Sequence, residues 1–144
     1  MNARLHDEDF YTWTHTQAGL LREGRLAELD TEHLIEELEA MGACERRELV
    51  NRLTVLLAHL LKWAHQPDRR GNSWRRTIQI QRGDVADVLD DNPGLRPELG
   101  AIFGKAYAKA RLLAANETGL DEHAFPADPP FSVDQTMSMD YWPE

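Results

Sequence analysis

ACERRELVNRLTVLLAHLLKWAHQ, residues 43–66, is the stretch that decides the fold. Leu49, Leu53, Leu56, Leu60 and Trp63 recur in alternating steps of four and three, and Val50, Leu57, Leu61 and Ala64 form an adjoining stripe. At about 100° of turn per residue, the two stripes merge into one apolar face covering nearly half of a helix. A two-stranded coiled coil needs only a narrow seam, so a face this broad predicts the central helix of a bundle. Pro67 biases Gln66 away from helical geometry and ends the helix, and PDRRGNS (67–73) reads as a turn.

The flanking segments carry the same period. In DEDFYTWTHTQAGLLREGR (7–25), acids lie at the start and Arg22 near the end, which suits the helix dipole, and Gly24 is placed to stop the helix. Phe10, Trp13, Gln17, Leu20 and Leu21 make an imperfect inward stripe. LDTEHLIEELEAMG (29–42) puts Leu34, Leu38 and Met41 on one face with Ile35 at its edge, Asp30 or Thr31 as cap and Gly42 as the expected end. Ser73 is the expected cap of the next helix, whose inward residues are Trp74, Ile78, Gln81, Val85, Val88 and Leu89, before DDNPG (90–94) interrupts. A further helix is expected from near Pro97, striped by Leu99, Ile102, Phe103, Ala106, Ala110, Leu113 and Ala114. There Gly100, Gly104 and Ala108 suggest close backbone approach.

From Gly119 the pattern weakens into FPADPPFSVDQTMSMDYWPE (125–144), rich in proline and acids. Its Phe125, Phe131, Tyr141 and Trp142 argue that parts of it pack instead of staying disordered. The reading is an all-α single domain over residues 1–144, a compact bundle of about five helices with an antiparallel core. Residues 119–144 form its less regular, aromatic tail.

Composition narrows the function classes. The chain has 144 residues, enough for a substantial core, and 28% of them are charged, as in soluble globular proteins. Apolar runs such as LLAHLL are too short to cross a bilayer, and no N-terminal signal pattern is apparent. One cysteine, Cys44, excludes an intrachain disulfide and a multi-cysteine metal knot. These features predict a cytoplasmic protein outside the membrane.

The net charge of -9 conceals a sign pattern: -7 over residues 1–43, +6 over 44–83 and -8 over 84–144. The basic middle offers Lys62, Arg69, Arg70, Arg75 and Arg76 as contacts to a partner or an anion. Using the 62–82 segment to grip nucleic acid is one alternative function, with the arginine pairs on phosphate and a tryptophan stacking on bases. The simpler expectation is compensation within the fold. Arg46, Arg52, Arg76 and Arg82 would pair with acids of LIEELE (34–39) or DVADVLDD (84–91), and Trp63 and Trp74 would close one end of the core.

Catalytic and metal readings rest on few residues. His33 and Glu37, four apart, share a helix face. His59 stands at the edge of the apolar face, and His65 is rotated roughly 120° from it. Neither HExxH nor a Glu-x-x-His pair occurs. No cofactor is expected; the candidate set for a divalent metal is His59, Glu37, His33 and His15, which would serve a metal-assisted hydrolase. Cys44 has Arg46 and Arg47 nearby but no evident histidine partner, and Ser132 and Ser138 lack a nucleophile context.

Taken in order, DFYTWTHTQAGLLREGR, LDTEHLIEELEAMG, ERRELVNRLTVLLAHLLKWAHQPDRR, SWRRTI, NPGLRPEL and ETGL resemble the bacterial domain-of-unknown-function family 29 (DUF29) over nearly the full chain. The resemblance implies a compact, mainly helical bacterial protein and carries over no reaction, cofactor or catalytic residue. The leading functional expectation is a non-enzymatic helical module acting through a protein partner or as a homo-oligomer.

Overall fold

The computed structural model describes residues 2–144, with side chains from residue 4 onward. The described residues form six α-helices and no strand: α1 (Asn2–Glu8), α2 (Phe10–Arg22), α3 (Thr31–His65), α4 (Asn72–Asp91), α5 (Leu99–Thr118) and α6 (Val133–Met137). The fold is all-α. The chain divides into two compact units, Met1–Cys44 and Glu45–Glu144.

In the first unit, the acidic opening is two helices instead of one. Asp9 breaks it, because its carboxylate accepts hydrogen bonds from the Thr12 backbone N–H at 3.1 Å and the Thr12 hydroxyl at 2.7 Å, starting α2 afresh. Gly24 ends the run as expected, with a φ of 73° that a side chain would resist. Trp13, Gln17 and Leu20 are buried, whereas Phe10 and Leu21 face solvent. Asp30 caps the next helix, accepting the His33 backbone N–H at 3.4 Å.

The expected break at Gly42 does not occur. The segments on either side form the single 35-residue helix α3, and Gly42 lies in its interior without the positive φ of a helix-ending glycine. One internal glycine costs about 1 kcal/mol relative to alanine, too little to stop a helix when the backbone hydrogen bonds on both sides continue.

In the second unit, Leu49, Leu53, Leu56, Leu57, Leu60 and Leu61 of α3 are buried, as the stripes foretell. They meet Ile78, Val85 and Leu89 of α4, and Ile102, Phe103, Ala106, Tyr107, Ala110 and Ala114 of α5. Full burial of one leucine side chain contributes roughly 2 kcal/mol, so this stripe dominates the unit's stability. Three local expectations need correction. Ser73 is not the cap: α4 begins at Asn72 after Gly71, whose position has no side-chain cap. The turn Pro93–Glu98 is a 3₁₀ helix, so α5 starts at Leu99 and not near Pro97. Nothing approaches Gly100 or Gly104, which are exposed along with Ala108, so they mark a solvent face and not close packing.

Phe125 and Phe131 are core residues, and Val133, Met137, Tyr141 and Trp142 pack against that core. Arg82, only 1% exposed, fastens the end of the chain. Its Nε donates to the Thr136 carbonyl and its Nη2 to the Tyr141 carbonyl, both at 2.8 Å. These bonds satisfy carbonyls of an irregular segment that has few partners of its own. Burial pushes the Arg82 pKa down.

Two substitutions test this layout. Gly42→Ala should stabilise the chain by up to about 1 kcal/mol, since a methyl meets nothing there; a loss of stability in urea denaturation would mean that Gly42 ends a helix. Arg82→Met should cost about 3 kcal/mol by stranding buried carbonyls and should expose residues 131–144 to protease, and an unchanged urea midpoint would contradict the role given to Arg82.

Candidate functional site

Helix α2 and the opening turns of α3 leave an apolar groove in the first unit. Leu34, Leu38 and Met41 follow the i, i+4, i+7 spacing and so line one side. Phe10, Trp13, Thr14, Gln17, Ala18 and Leu21 of α2 line the other, around an open cavity of about 510 Å³. Leu38 and Met41 are each 65% exposed, so the stripe that the sequence places on one face is a surface and not a core. Gln17 is the buried polar group of the lining. Its Oε1 accepts the Asp30 backbone N–H at 2.9 Å, and its Nε2 has no hydrogen-bond partner.

A histidine cluster lies beside it. The His6 and His33 rings stack with centroids 3.9 Å apart and planes 12° from parallel. Nε2 of His6 is 2.7 Å from Oε1 of Glu37, and its Nδ1 is 3.0 Å from Oδ1 of Asp7. Those hydrogen bonds, Glu37's first and Asp7's second, raise the His6 pKa because they favour the doubly protonated ring. Nδ1 of His33 is 2.7 Å from Oδ2 of Asp30, which also accepts the Trp13 indole N–H at 2.9 Å. Burial pushes the Asp30 carboxyl up, but the His33 and Trp13 hydrogen bonds outweigh it and the net shift is down. One ligating atom from each of His6, Asp7 and His33 fall within 4.8 Å of one another.

The residues singled out by sequence are distributed as follows. His33 and Glu37 do come close to one histidine, but it is His6, which the spacing argument did not select. His6 belongs to α1, and only the tertiary packing of α1 against α2 brings it there. His15 is exposed, with Nδ1 3.1 Å from the Tyr11 carbonyl. His59 belongs to the second unit. Its Nδ1 donates to the Val55 carbonyl at 2.9 Å. Cys44 is a free, exposed thiol.

The basic candidates are largely occupied. Lys62 is 4% exposed, pairs with Glu117 at 2.8 Å and lies 5.2 Å from the Trp74 ring centre. Arg70 donates to the Trp63 carbonyl at 2.7 Å, and Arg75 stands over both Trp63 and Trp142. The Trp63 ring lies 4.8 Å from that of the tail residue Trp142 with the planes tilted by 45°, while Trp74 packs at the core edge. Arg52 bridges Glu48 and Asp84, as expected for compensation inside the fold. Arg46 instead pairs with Glu98, and Arg82 binds carbonyls instead of acids. Arg69 and Arg76 are exposed, with no ion pair among the described residues.

A family model described as domain of unknown function DUF29 matches residues 5–142. The chain belongs to the DUF29 family. No curated protein and no solved structure matches it. The DUF29 match spans the groove, the histidine cluster and the buried tail alike. Among its described residues, no helix is long and apolar enough to cross a membrane.

Half-buried His59 makes the second unit of this DUF29 chain sensitive to acid. Burial pushes its pKa below the usual 6.5, against a smaller upward effect of the Val55 hydrogen bond. A depressed histidine pKa means that the unfolded chain takes up the proton first. The stabilising contribution is therefore present above pH 6.5 and is lost as pH falls through the lower native value. Denaturation midpoints from pH 7.5 to 5, read from α4 and α5 amide signals, should fall less steeply for His59→Gln than for wild type. Partial desolvation of His65, an exposed residue whose ring packs edge-on against Phe125, also lowers its pKa and leaves some slope in the variant. Parallel slopes would refute the assignment.

Proposed function

We propose that this DUF29 protein is a non-enzymatic interaction module of the bacterial cytoplasm, whose first unit receives an amphipathic helix of a partner protein. The observation that carries the reading is the open groove between α2 and α3, where Leu38 and Met41 stand in water although they lie on an apolar stripe. Exposing them costs free energy that a partner's apolar face would recover, at about 25 cal/mol per Å² covered. A groove between two helices suits a third, read through anchors at i, i+3, i+4 and i+7.

Charge selects the partner. Residues 1–43 carry a net charge of -7, so a helix flanked by lysine or arginine is attracted. A second copy docking the same face would set acid against acid, which disfavours a symmetric pairing through this groove. Nucleic acid is a weaker reading, because Lys62, Arg70 and Arg75 are engaged with Glu117, Trp63 and Trp142. A hydrolase built on His59, Glu37, His33 and His15 is a weaker reading, because the His59 and His15 rings bond to carbonyls of their own helices, at Val55 and Tyr11.

Two synthetic helices with the same leucine face, one flanked by lysines and one by glutamates, provide the test by fluorescence anisotropy. The full chain should bind the lysine peptide at least tenfold more tightly, and Leu38→Asp should weaken that binding tenfold or more. Equal affinity for both peptides, or binding indifferent to Leu38→Asp, would overturn the reading.

A further inference from the structure

We infer that His6, Asp7 and His33 form a binding site for a divalent zinc-like metal ion, which ties α1 to the start of α3. This goes beyond the docking reading and does not depend on it. The donors come from two helices, α1 and α3, within the first unit, and a ligating atom of each lies within 4.8 Å of the others. Ligands around one zinc ion stand closer than that, at bond lengths of about 2.0–2.2 Å. Modest side-chain movement closes the difference. Imidazole lone pairs lie in the ring plane, so the parallel rings cannot both aim at one ion. Binding therefore turns His6 out of the stack, which its place near the end of the short helix α1 allows.

The arrangement around His33 is what separates this cluster from an ordinary ion pair. Asp30 is nearly buried, its side chain 7% exposed, and it receives hydrogen bonds from both the Trp13 indole and Nδ1 of His33. A carboxylate held in this way fixes the imidazole tautomer: the proton sits on Nδ1, and the Nε2 lone pair is left to bind. Nε2 of His33 has no partner among the described residues. Asp7 supplies an anionic oxygen, and Glu37, already 2.7 Å from His6, orients that ring or offers a further oxygen. Two imidazole nitrogens with carboxylate oxygens and no thiolate suit zinc and its first-row neighbours better than magnesium or calcium, which take oxygen.

The site gives α1 a role. A seven-residue helix is too short to persist through its own hydrogen bonds, so a metal bridge to α3 would hold it against α2. The full chain with ¹⁵N-labelled histidine, stripped of metal and titrated with Zn²⁺ alone at pH 8, tests this in the wild-type protein. The imidazole nitrogens of His6 and His33 should shift together and saturate at one zinc per chain, while those of His15, His59, His65 and His123 stay in place. Mg²⁺ should produce no such shift. Asp30→Asn should weaken zinc binding about ten- to a hundredfold, and His6→Ala should abolish the one-to-one step. Absence of saturable binding, equal shifts at exposed His15 and His123, or Asp30→Asn affinity equal to wild type would each overturn the site.

Discussion

One helix passing through two environments is the constraint on which the structure depends. The backbone of α3 runs unbroken from Thr31 to His65, yet its apolar face is buried from Leu49 onward and open to water at Leu38 and Met41. The second part is held by the core it helps to build, where leucines of α3 meet α4 and α5. Helices much shorter than about 12–15 residues are marginal in isolation, so the opening turns of α3 draw on the helix that continues behind them. A partly bare helix face results.

The second unit resolves a separate difficulty, the unsatisfied backbone of a tail with little regular structure. Arg82 reaches the carbonyls of Thr136 and Tyr141, the Tyr107 hydroxyl donates to Pro126, and Arg111 donates to Glu122 and Phe125. Arg75 and Arg82 also lie against Trp142. The basic segment thus serves largely inside the fold, through carbonyls and aromatic rings more than through acids. Guanidinium groups are suited to both tasks, having several donors in a plane that stacks on indole.

The central helix was legible from its four-and-three spacing because burial on one face imposes that period. The same spacing at Leu34, Leu38 and Met41 could not reveal whether the face meets protein or water, since both outcomes leave one pattern. Gly42 misled because helix-ending glycines are recognised by positive φ, which residue type does not report. Arg82 misled because its partners are main-chain oxygens, present at every residue, and not the acids that its charge suggests. His6 was invisible for another reason: its neighbours His33 and Glu37 are far off in sequence and meet it through tertiary packing alone.

The groove and the histidine cluster share Trp13 and Glu37: the indole lines the groove and holds Asp30, and the carboxylate lines the groove and holds His6. The groove depends on the first turns of α3 presenting an uncovered apolar face. Paramagnetic broadening of methyl NMR signals by a soluble gadolinium chelate measures that most directly. Methyl groups of Leu38 and Met41 should broaden strongly, while those of Leu53, Leu56 and Leu60 on the same helix stay sharp. If Leu38 and Met41 prove as protected as Leu56, the face is already covered and the groove does not exist as a surface.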